Sequence, residues 1–271
     1  MTDKEEKIAY FVTFLLAAIY FSWWVINFTV GHPGDRSHEL YSDSYWIVAL
    51  IGTVYGFFVS KQWGGAKSVF GRALLLFTLG LFAQVFGQVT YSYFALFRGI
   101  QAPYPSIGDI GYFGSVVLYI GGVLILSKAV GARFKSASIY QKVVSVVAPL
   151  ALLTLSYAIF LRGYQFTGHP VTTFLDFGYP LGQASYISLA LLTYILSVKL
   201  LGGKMKNKVL LLLAALLIQY IADFSFLYRD SHNQWYAGDA SDLAYQIAYL
   251  FMTIALLRIG SVARKLKVGS D

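Results

Sequence analysis

Eight long apolar segments divide this sequence, and only short polar stretches separate them. A helix rises about 1.5 Å per residue, so about 20 apolar residues cross the hydrocarbon core of a bilayer. Within lipid the backbone polar groups need partners, which an α-helix supplies internally. The pattern therefore predicts an all-α integral membrane protein with eight transmembrane helices, over residues 8–30, 45–60, 72–97, 109–126, 143–161, 176–198, 209–228 and 242–257.

The composition also indicates a membrane protein. Of the residues, 57% are hydrophobic and only 13% are charged, and the mean hydropathy is +0.61. Soluble proteins carry about 25% charged residues. The sequence has no cysteine, which excludes disulfides, thiolate-held metal sites and cysteine nucleophiles.

The placement of the basic residues predicts the topology. Seventeen of the 21 lysine and arginine residues lie in the two tails or after every second apolar segment. Positively charged residues stay on the cytoplasmic side of a membrane. We therefore expect a multi-pass protein of the plasma membrane with both termini in the cytoplasm. The net charge of +8 is then a topology signal and indicates no nucleic-acid partner. The four remaining basic residues are expected outside: Arg36, Arg98, Arg162 and Arg229.

An aspartate recurs at nearly constant spacing, each time at the start of an apolar segment. The spacings are 66, 67 and 66 residues, and an arginine precedes each aspartate. Such self-similarity predicts an internal repeat. We predict one membrane domain over residues 1–271, built from four tandem parallel helical hairpins at about 1–65, 66–135, 136–203 and 204–271. The hairpins form either a pseudo-fourfold ring or two pairs related by a twofold axis. The repeating aspartates are Asp43, Asp109, Asp176 and Asp242.

Two interpretations of these aspartates remain open. Asp109 stands three residues after Ser106, which is the spacing of a helix capping box. Capping does not explain the aromatic residue three positions after each aspartate, on the same helix face. The alternative is the rim of an outward-facing pocket for a small polar or zwitterionic ligand. The candidate ligand-binding residues at this level are Asp109, Tyr112, Asp176, Tyr179, Asp242, Tyr245, Arg98, Arg162 and Arg229.

Polar side chains also occur inside the apolar segments. Asp223 is the only acid within a crossing, and Gln219, Gln88 and Gln84 lie near the predicted bilayer centre. An acid within the membrane is costly and marks a candidate functional site. These side chains either join helices by hydrogen bonds or line a cavity, and we include all four among the candidate ligand-binding residues.

No pattern indicates catalysis, a metal or a cofactor. The sequence has no metalloprotease, nucleophile-elbow or phosphate-loop motif, and no lysine within a crossing to hold retinal. The four histidines lie in predicted outer loops, where a metal site would require separate loops to converge. We therefore expect neither an enzyme nor a bound cofactor.

The segment Pro105-Ser106-x-x-Asp109-x-x-Tyr112 opens an apolar helix. It resembles the multi-pass N-terminal membrane regions of some prokaryotic diguanylate cyclases and sensor histidine kinases. The resemblance implies a membrane sensor, here expected to stand alone without an effector domain and to signal through a partner protein or homo-oligomer. The alternatives are a small-solute or ion transporter or channel along the axis between the repeats, and a structural membrane subunit of a complex.

Overall fold

Eight long helices and one short helix make up the described chain. The computed structural model describes residues 3–101, 103–132, 137–166, 168–197 and 205–268, and these residues include no β-strand. The prediction of an all-α membrane protein is confirmed. The helices are α1 Asp3–Val30, α2 Arg36–Ser42, α3 Trp46–Gln62, α4 Val69–Tyr93, α5 Gly108–Ala129, α6 Ile139–Ser156, α7 Pro170–Ser197, α8 Lys206–Ser231 and α9 Ala240–Val268.

Seven of the long helices are long and apolar enough to cross a membrane. The exception among the described residues is α7, whose 28 residues include Asp176, Pro180 and Gln183. It begins at Pro170, six residues before the predicted start of the sixth crossing. Proline is favoured in the first turn of a helix, where its missing N–H has no intrahelical partner to lose. The seven long apolar helices imply that a lipid bilayer is the environment of this chain.

Six of the long helices form a closed ring. Around the ring, α3 packs against α4, α4 against α5, α5 against α7, α7 against α8, α8 against α9, and α9 against α3. The other two long helices lie outside, α1 against α3 and α9, and α6 against α7. Their outer faces expose large apolar side chains such as Phe11 and Leu150, as expected for surfaces in contact with lipid.

The packing order has a twofold pattern. Each helix can be replaced by the helix four crossings later in the chain, counting from the last crossing back to the first. The α3–α4, α4–α5 and α5–α7 contacts then become the α7–α8, α8–α9 and α9–α3 contacts. The peripheral α1 corresponds in the same way to α6. This order agrees with the twofold alternative and not with a simple ring of four hairpins. The internal repeat itself stays a prediction.

Glycines allow α4 and α5 to pack very closely. A Cβ atom on Gly111 would lie 2.4 Å from the backbone oxygen of Ala83 and 2.7 Å from the backbone nitrogen of Gly87. Small residues let membrane helices approach until their backbones touch. This contact fixes the start of α5, and with it the positions of Asp109 and Tyr112.

The end of the ring opposite the α4–α5 connection is filled with apolar side chains. Phe77, Leu81, Leu126, Leu212 and Leu256 are completely inaccessible to solvent and belong to one apolar cluster. Dense packing of this kind leaves little room for water. The core therefore closes one end of the ring, and the polar side chains concentrate at the other.

Candidate functional site

A cavity of about 390 Å³ lies within the helix ring. It extends inward from the end that carries the α4–α5 and α8–α9 connections, which we predict to face outside. Five of the six ring helices, α4, α5, α7, α8 and α9, contribute residues to its wall, and the residues just before α3 form the remaining side. Ten of the residues that line it are Asp43, Tyr45, Gln84, Gln88, Asp109, Tyr112, Asp176, Tyr179, Asp223 and Asp242.

At the mouth of the cavity, Asp176 accepts two hydrogen bonds from tyrosines of different loops. The hydroxyls of Tyr104 and Tyr164 each lie 2.6 Å from its carboxylate oxygens. Burial, and secondly the hydrogen bond to Asp176, raise the pKa of Tyr104 above its usual range. The phenol therefore stays a donor at neutral pH, and Asp176 joins the α4–α5 connection to the α6–α7 connection.

Asp109 combines both roles that the sequence left open. Its carboxylate accepts a hydrogen bond from the backbone nitrogen of Ser106 at 2.6 Å, while Ser106 Oγ accepts one from the nitrogen of Gly108 at 3.1 Å. The bond from the Ser106 nitrogen is half of a capping box; the Ser106 hydroxyl binds the nitrogen of Gly108 and not that of Asp109, so the box is incomplete. The other carboxylate oxygen accepts the Tyr179 hydroxyl at 2.7 Å. Asp109 thus caps its own helix and also lines the cavity.

Asp242 has a similar arrangement at the start of α9. One carboxylate oxygen accepts a hydrogen bond from the backbone nitrogen of Gly238 at 2.7 Å, and the other accepts the Tyr45 hydroxyl at 3.3 Å. Beside it, Gln88 accepts the Tyr112 hydroxyl at 2.7 Å. This layer connects side chains of α3, α4, α5 and α9 and forms the middle of the cavity wall.

Asp223 faces the protein interior from α8. Its side chain accepts hydrogen bonds from the Tyr186 hydroxyl at 2.7 Å and the Gln219 amide at 3.1 Å. Asp223 lines the cavity, whereas Gln219 stands behind it. Paired donors of this kind are what a carboxylate needs where lipid offers no partner.

The floor of the cavity is an amide–hydroxyl group. Gln84 donates a hydrogen bond to Ser115 Oγ at 2.7 Å and accepts the Tyr249 hydroxyl at 3.0 Å. The apolar core lies beyond this layer, with Phe77 packed against Tyr119. The cavity is therefore closed at its inner end.

The three candidate arginines do not line the cavity. Arg98 and Arg162 are exposed, and Arg229 forms an ion pair with Asp239 at 2.5 Å. Asp239 is not one of the four repeating aspartates, so Arg229 pairs with an acid outside that set. The physical reason is solvation, because the guanidinium groups remain near water while three of the four repeating carboxylates, those of Asp109, Asp176 and Asp242, turn inward to hydroxyl and backbone donors.

Sequence reasoning missed several residues of the wall. Tyr104 and Tyr164 are distant from Asp176 in sequence, and nothing in the apolar periodicity predicts their contacts. The available signal was the composition, because 21 tyrosines are many for a chain of 271 residues. Tyrosines are also common at membrane interfaces, so their number alone does not indicate a cavity. Also missed as lining residues were Tyr45, Tyr91, Tyr249 and Asp230.

No cluster of metal ligands accompanies the cavity. Among the described residues, no group of three or more His, Cys, Asp or Glu side chains is arranged to hold a metal ion. The carboxylates are distributed around the wall, and their nearest partners are hydroxyls, amides and backbone nitrogens. The arrangement suits hydrogen bonding and charge interaction with a small molecule.

The fold and the cavity together define the class: a multi-pass, all-α membrane protein with a polar cavity enclosed by its helix ring. The chain matches no protein-family model, no curated protein and no solved structure. Its function has to be argued from the cavity itself.

Proposed function

We propose that this chain is a membrane sensor module that binds a small polar ligand from outside and transmits the binding event to a partner protein or a second copy. The observation that carries the proposal is a cavity of about 390 Å³ that is lined by polar side chains and closed at its inner end. Cavities of about 300–1,000 Å³ are typical of small-molecule sites. The Pro105-Ser106-x-x-Asp109-x-x-Tyr112 segment, which resembles part of known sensor regions, supports it as well.

The position of the candidate residues supports the same function. Nine of the thirteen line the cavity, and Gln219 holds one of those nine, Asp223. The wall is built by five helices and the residues just before α3, so a ligand that contacts several of these helices would alter their spacing. The same helices continue to the cytoplasmic face, so a change in their spacing at the cavity end is a signal that a partner at that face would detect.

The second candidate function is a small-solute or ion transporter. Pro180 lines the cavity within α7, and a proline inside a helix removes a backbone hydrogen bond and bends the helix. Irregular helices beside a central site occur in transporters. A transporter in a state closed towards the cytoplasm would also have an apolar inner end.

A ligand screen with two readouts tests the proposal. The purified full chain would be screened by thermal unfolding against small polar metabolites, and each stabilising compound tested for uptake into proteoliposomes. We expect stabilisation without uptake, and loss of stabilisation in an Ala95→Phe variant, because Ala95 lines the cavity. The matched control is Leu217→Phe, at an exposed position of α8. Ala248→Phe would not serve as a control, because Ala248 is buried in the bundle. Uptake of the stabilising compound would contradict the sensor and favour the transporter.

A further inference from the structure

The charged residues of the cavity wall all have the same sign. Six aspartates line it, and no lysine, arginine or histidine is among the lining residues. Like charges around a partly dehydrated space produce a strong local potential that concentrates ions of the opposite sign. The six are Asp43, Asp109, Asp176, Asp223, Asp230 and Asp242.

The hydrogen-bond donors to these carboxylates are neutral. Tyrosine hydroxyls and backbone nitrogens serve Asp109 and Asp176, and Asp223 is served by a hydroxyl and an amide. Neutral donors stabilise a carboxylate without cancelling its charge. The ion pairs of this end of the bundle, Arg36–Glu39 and Arg229–Asp239, involve acids outside the wall. Among the described residues, no cationic side chain lines the cavity beside these carboxylates.

One buried polar side chain of the wall has no partner. Gln183 is only 5% exposed and lines the cavity, and its amide makes no hydrogen bond within the described part of the chain. Asp43 Oδ2 is likewise inaccessible to solvent and has no hydrogen-bond partner. Buried polar groups are normally satisfied. Gln183 lines the cavity, so a polar ligand there would supply the partners that its amide lacks, whereas Asp43 Oδ2 is shielded from the cavity.

The remaining wall is rich in aromatic rings. An ammonium ion is attracted to the face of such a ring, and sites that recognise organic ammonium ions combine rings with carboxylates. The cavity is too large for a bare ion, and the described residues include no metal-binding group of three or more acids or histidines. The rings belong to Tyr45, Tyr91, Tyr104, Tyr112, Tyr164, Tyr179, Tyr245, Tyr249, Phe160, Phe226 and Trp235.

We propose that the ligand of this cavity is an organic cation, a small molecule whose ammonium group binds both the aspartates and the aromatic rings of the wall. The inference rests on the proposed ligand-binding function and names the ligand class. From the sequence we expected a small polar or zwitterionic ligand, with arginines at the rim of the pocket. No arginine lines the cavity, so a cation is proposed in place of a zwitterion.

The test compares each cation with an uncharged molecule of the same shape. Titration calorimetry on the purified full chain would use choline against its carbon analogue, in which a quaternary carbon replaces the nitrogen, and diaminobutane against butanediol. Malate serves as the anionic probe. We expect at least one cation to bind about tenfold or more tightly than its neutral partner, and its affinity to fall with rising salt.

Two variants locate the binding. Asp230→Asn removes one charge at the exposed edge of the cavity while keeping the size of the side chain. Glu39→Gln removes one charge from an acid at the same end of the bundle that does not line the cavity. We expect the first to weaken binding of the cation several-fold and the second to leave it within about twofold of the wild type, since exposed pairs contribute little.

The possible results separate this inference from the proposed function. Equal binding of a cation and its neutral partner, or tighter binding of malate, would overturn the cationic ligand and leave a ligand-binding cavity. Binding of none of the probes would also overturn it, while the metabolite screen still judges the sensor. Unchanged cation affinity in Asp230→Asn, with the fold verified by circular dichroism, would contradict the location; the wild-type comparison stands even if that variant does not fold.

Discussion

Asp109 and Tyr179 are 70 residues apart in sequence and are joined by a hydrogen bond of 2.7 Å. Each belongs to an Asp-x-x-Tyr segment, but of two different hairpins, so the motifs bind each other across the α5–α7 contact. Asp242 and Tyr45 make a similar contact between α9 and the start of α3, at 3.3 Å, although Tyr45 stands two residues after Asp43 and not three. These two contacts close the ring between the halves of the chain.

Removal of the Tyr179 hydroxyl should weaken the α5–α7 contact. Tyr179→Phe leaves one oxygen of the buried Asp109 carboxylate without its closest donor, and we expect a loss of about 1–3 kcal/mol in the free energy of unfolding. Thermal unfolding in detergent would measure it. Tyr194→Phe is the control, because Tyr194 is 42% exposed on the same helix and its hydroxyl binds no carboxylate within the described residues. An equal effect of both changes would contradict the role of the hydrogen bond.

The close approach of α4 and α5 predicts a contrast between two glycines of α5. A methyl group at Gly111 meets the backbone of α4, whereas nothing lies within 4 Å of one at Gly114. We expect Gly111→Ala to lower the unfolding free energy by about 1–3 kcal/mol. Gly114→Ala should be neutral or stabilising by up to about 1 kcal/mol, since alanine favours the helix. Unfolding midpoints of the two variants, measured side by side, decide the matter.

Arg229 should contribute more to stability than the arginine of a surface pair. The side chain of its partner Asp239 is 0% exposed, whereas the Arg36–Glu39 pair has exposures of 62% and 28%. Arg229→Gln leaves a buried carboxylate without its cation, and we expect a cost of about 2–3 kcal/mol, less than for a completely buried pair. Arg36→Gln should cost about 0–1 kcal/mol. Comparable losses in chemical denaturation would refute this ranking.

Asp223→Asn should distinguish a binding module from a coupled transporter. Asparagine retains an acceptor for the Tyr186 hydroxyl, so the variant is expected to fold and to bind ligand with reduced affinity. A transporter that couples to a proton or a cation through this carboxylate would lose coupled uptake. Ligand binding and proteoliposome uptake would be measured on the same preparation. Behaviour like the wild type in both assays would show that Asp223 serves only to join helices.

The distribution of basic residues predicts the orientation in the membrane. The chain has no cysteine, so single cysteines can be introduced without background. We expect Gln234→Cys, at an exposed position after α8, to react with an impermeant maleimide in intact cells. Asn207→Cys, exposed at the start of α8, should react only after permeabilisation. The opposite pattern would place both termini outside.

Hydropathy was sufficient to predict the eight long helices, because crossing lipid imposes both length and composition on each of them. The spacing of the aspartates led to one end of the bundle and to six residues of the cavity wall, and the polar residues inside the apolar segments added three more. The ring order and the hydroxyl partners of Asp176 were not predictable, because contacts between distant helices leave no periodic trace in one sequence. The sequence could not show that the three candidate arginines lie outside the cavity lining, because spacing along the chain does not determine whether a flexible side chain turns inward or stays in water.

The ring closes on itself, and this has a mechanical consequence. A helix in a closed ring has a neighbour on both sides, so no single helix can move away from the cavity without compressing or stretching another contact. The glycine-lined α4–α5 contact has no slack, because backbone already touches backbone there. If the cavity expands, contacts other than α4–α5 must therefore change. The contacts that can do so are Tyr179–Asp109 and Tyr45–Asp242, because each is a hydrogen bond between a phenol and a carboxylate that can lengthen and reform. The molecule is thus stiff at the α4–α5 contact of its first half and adjustable between the two halves.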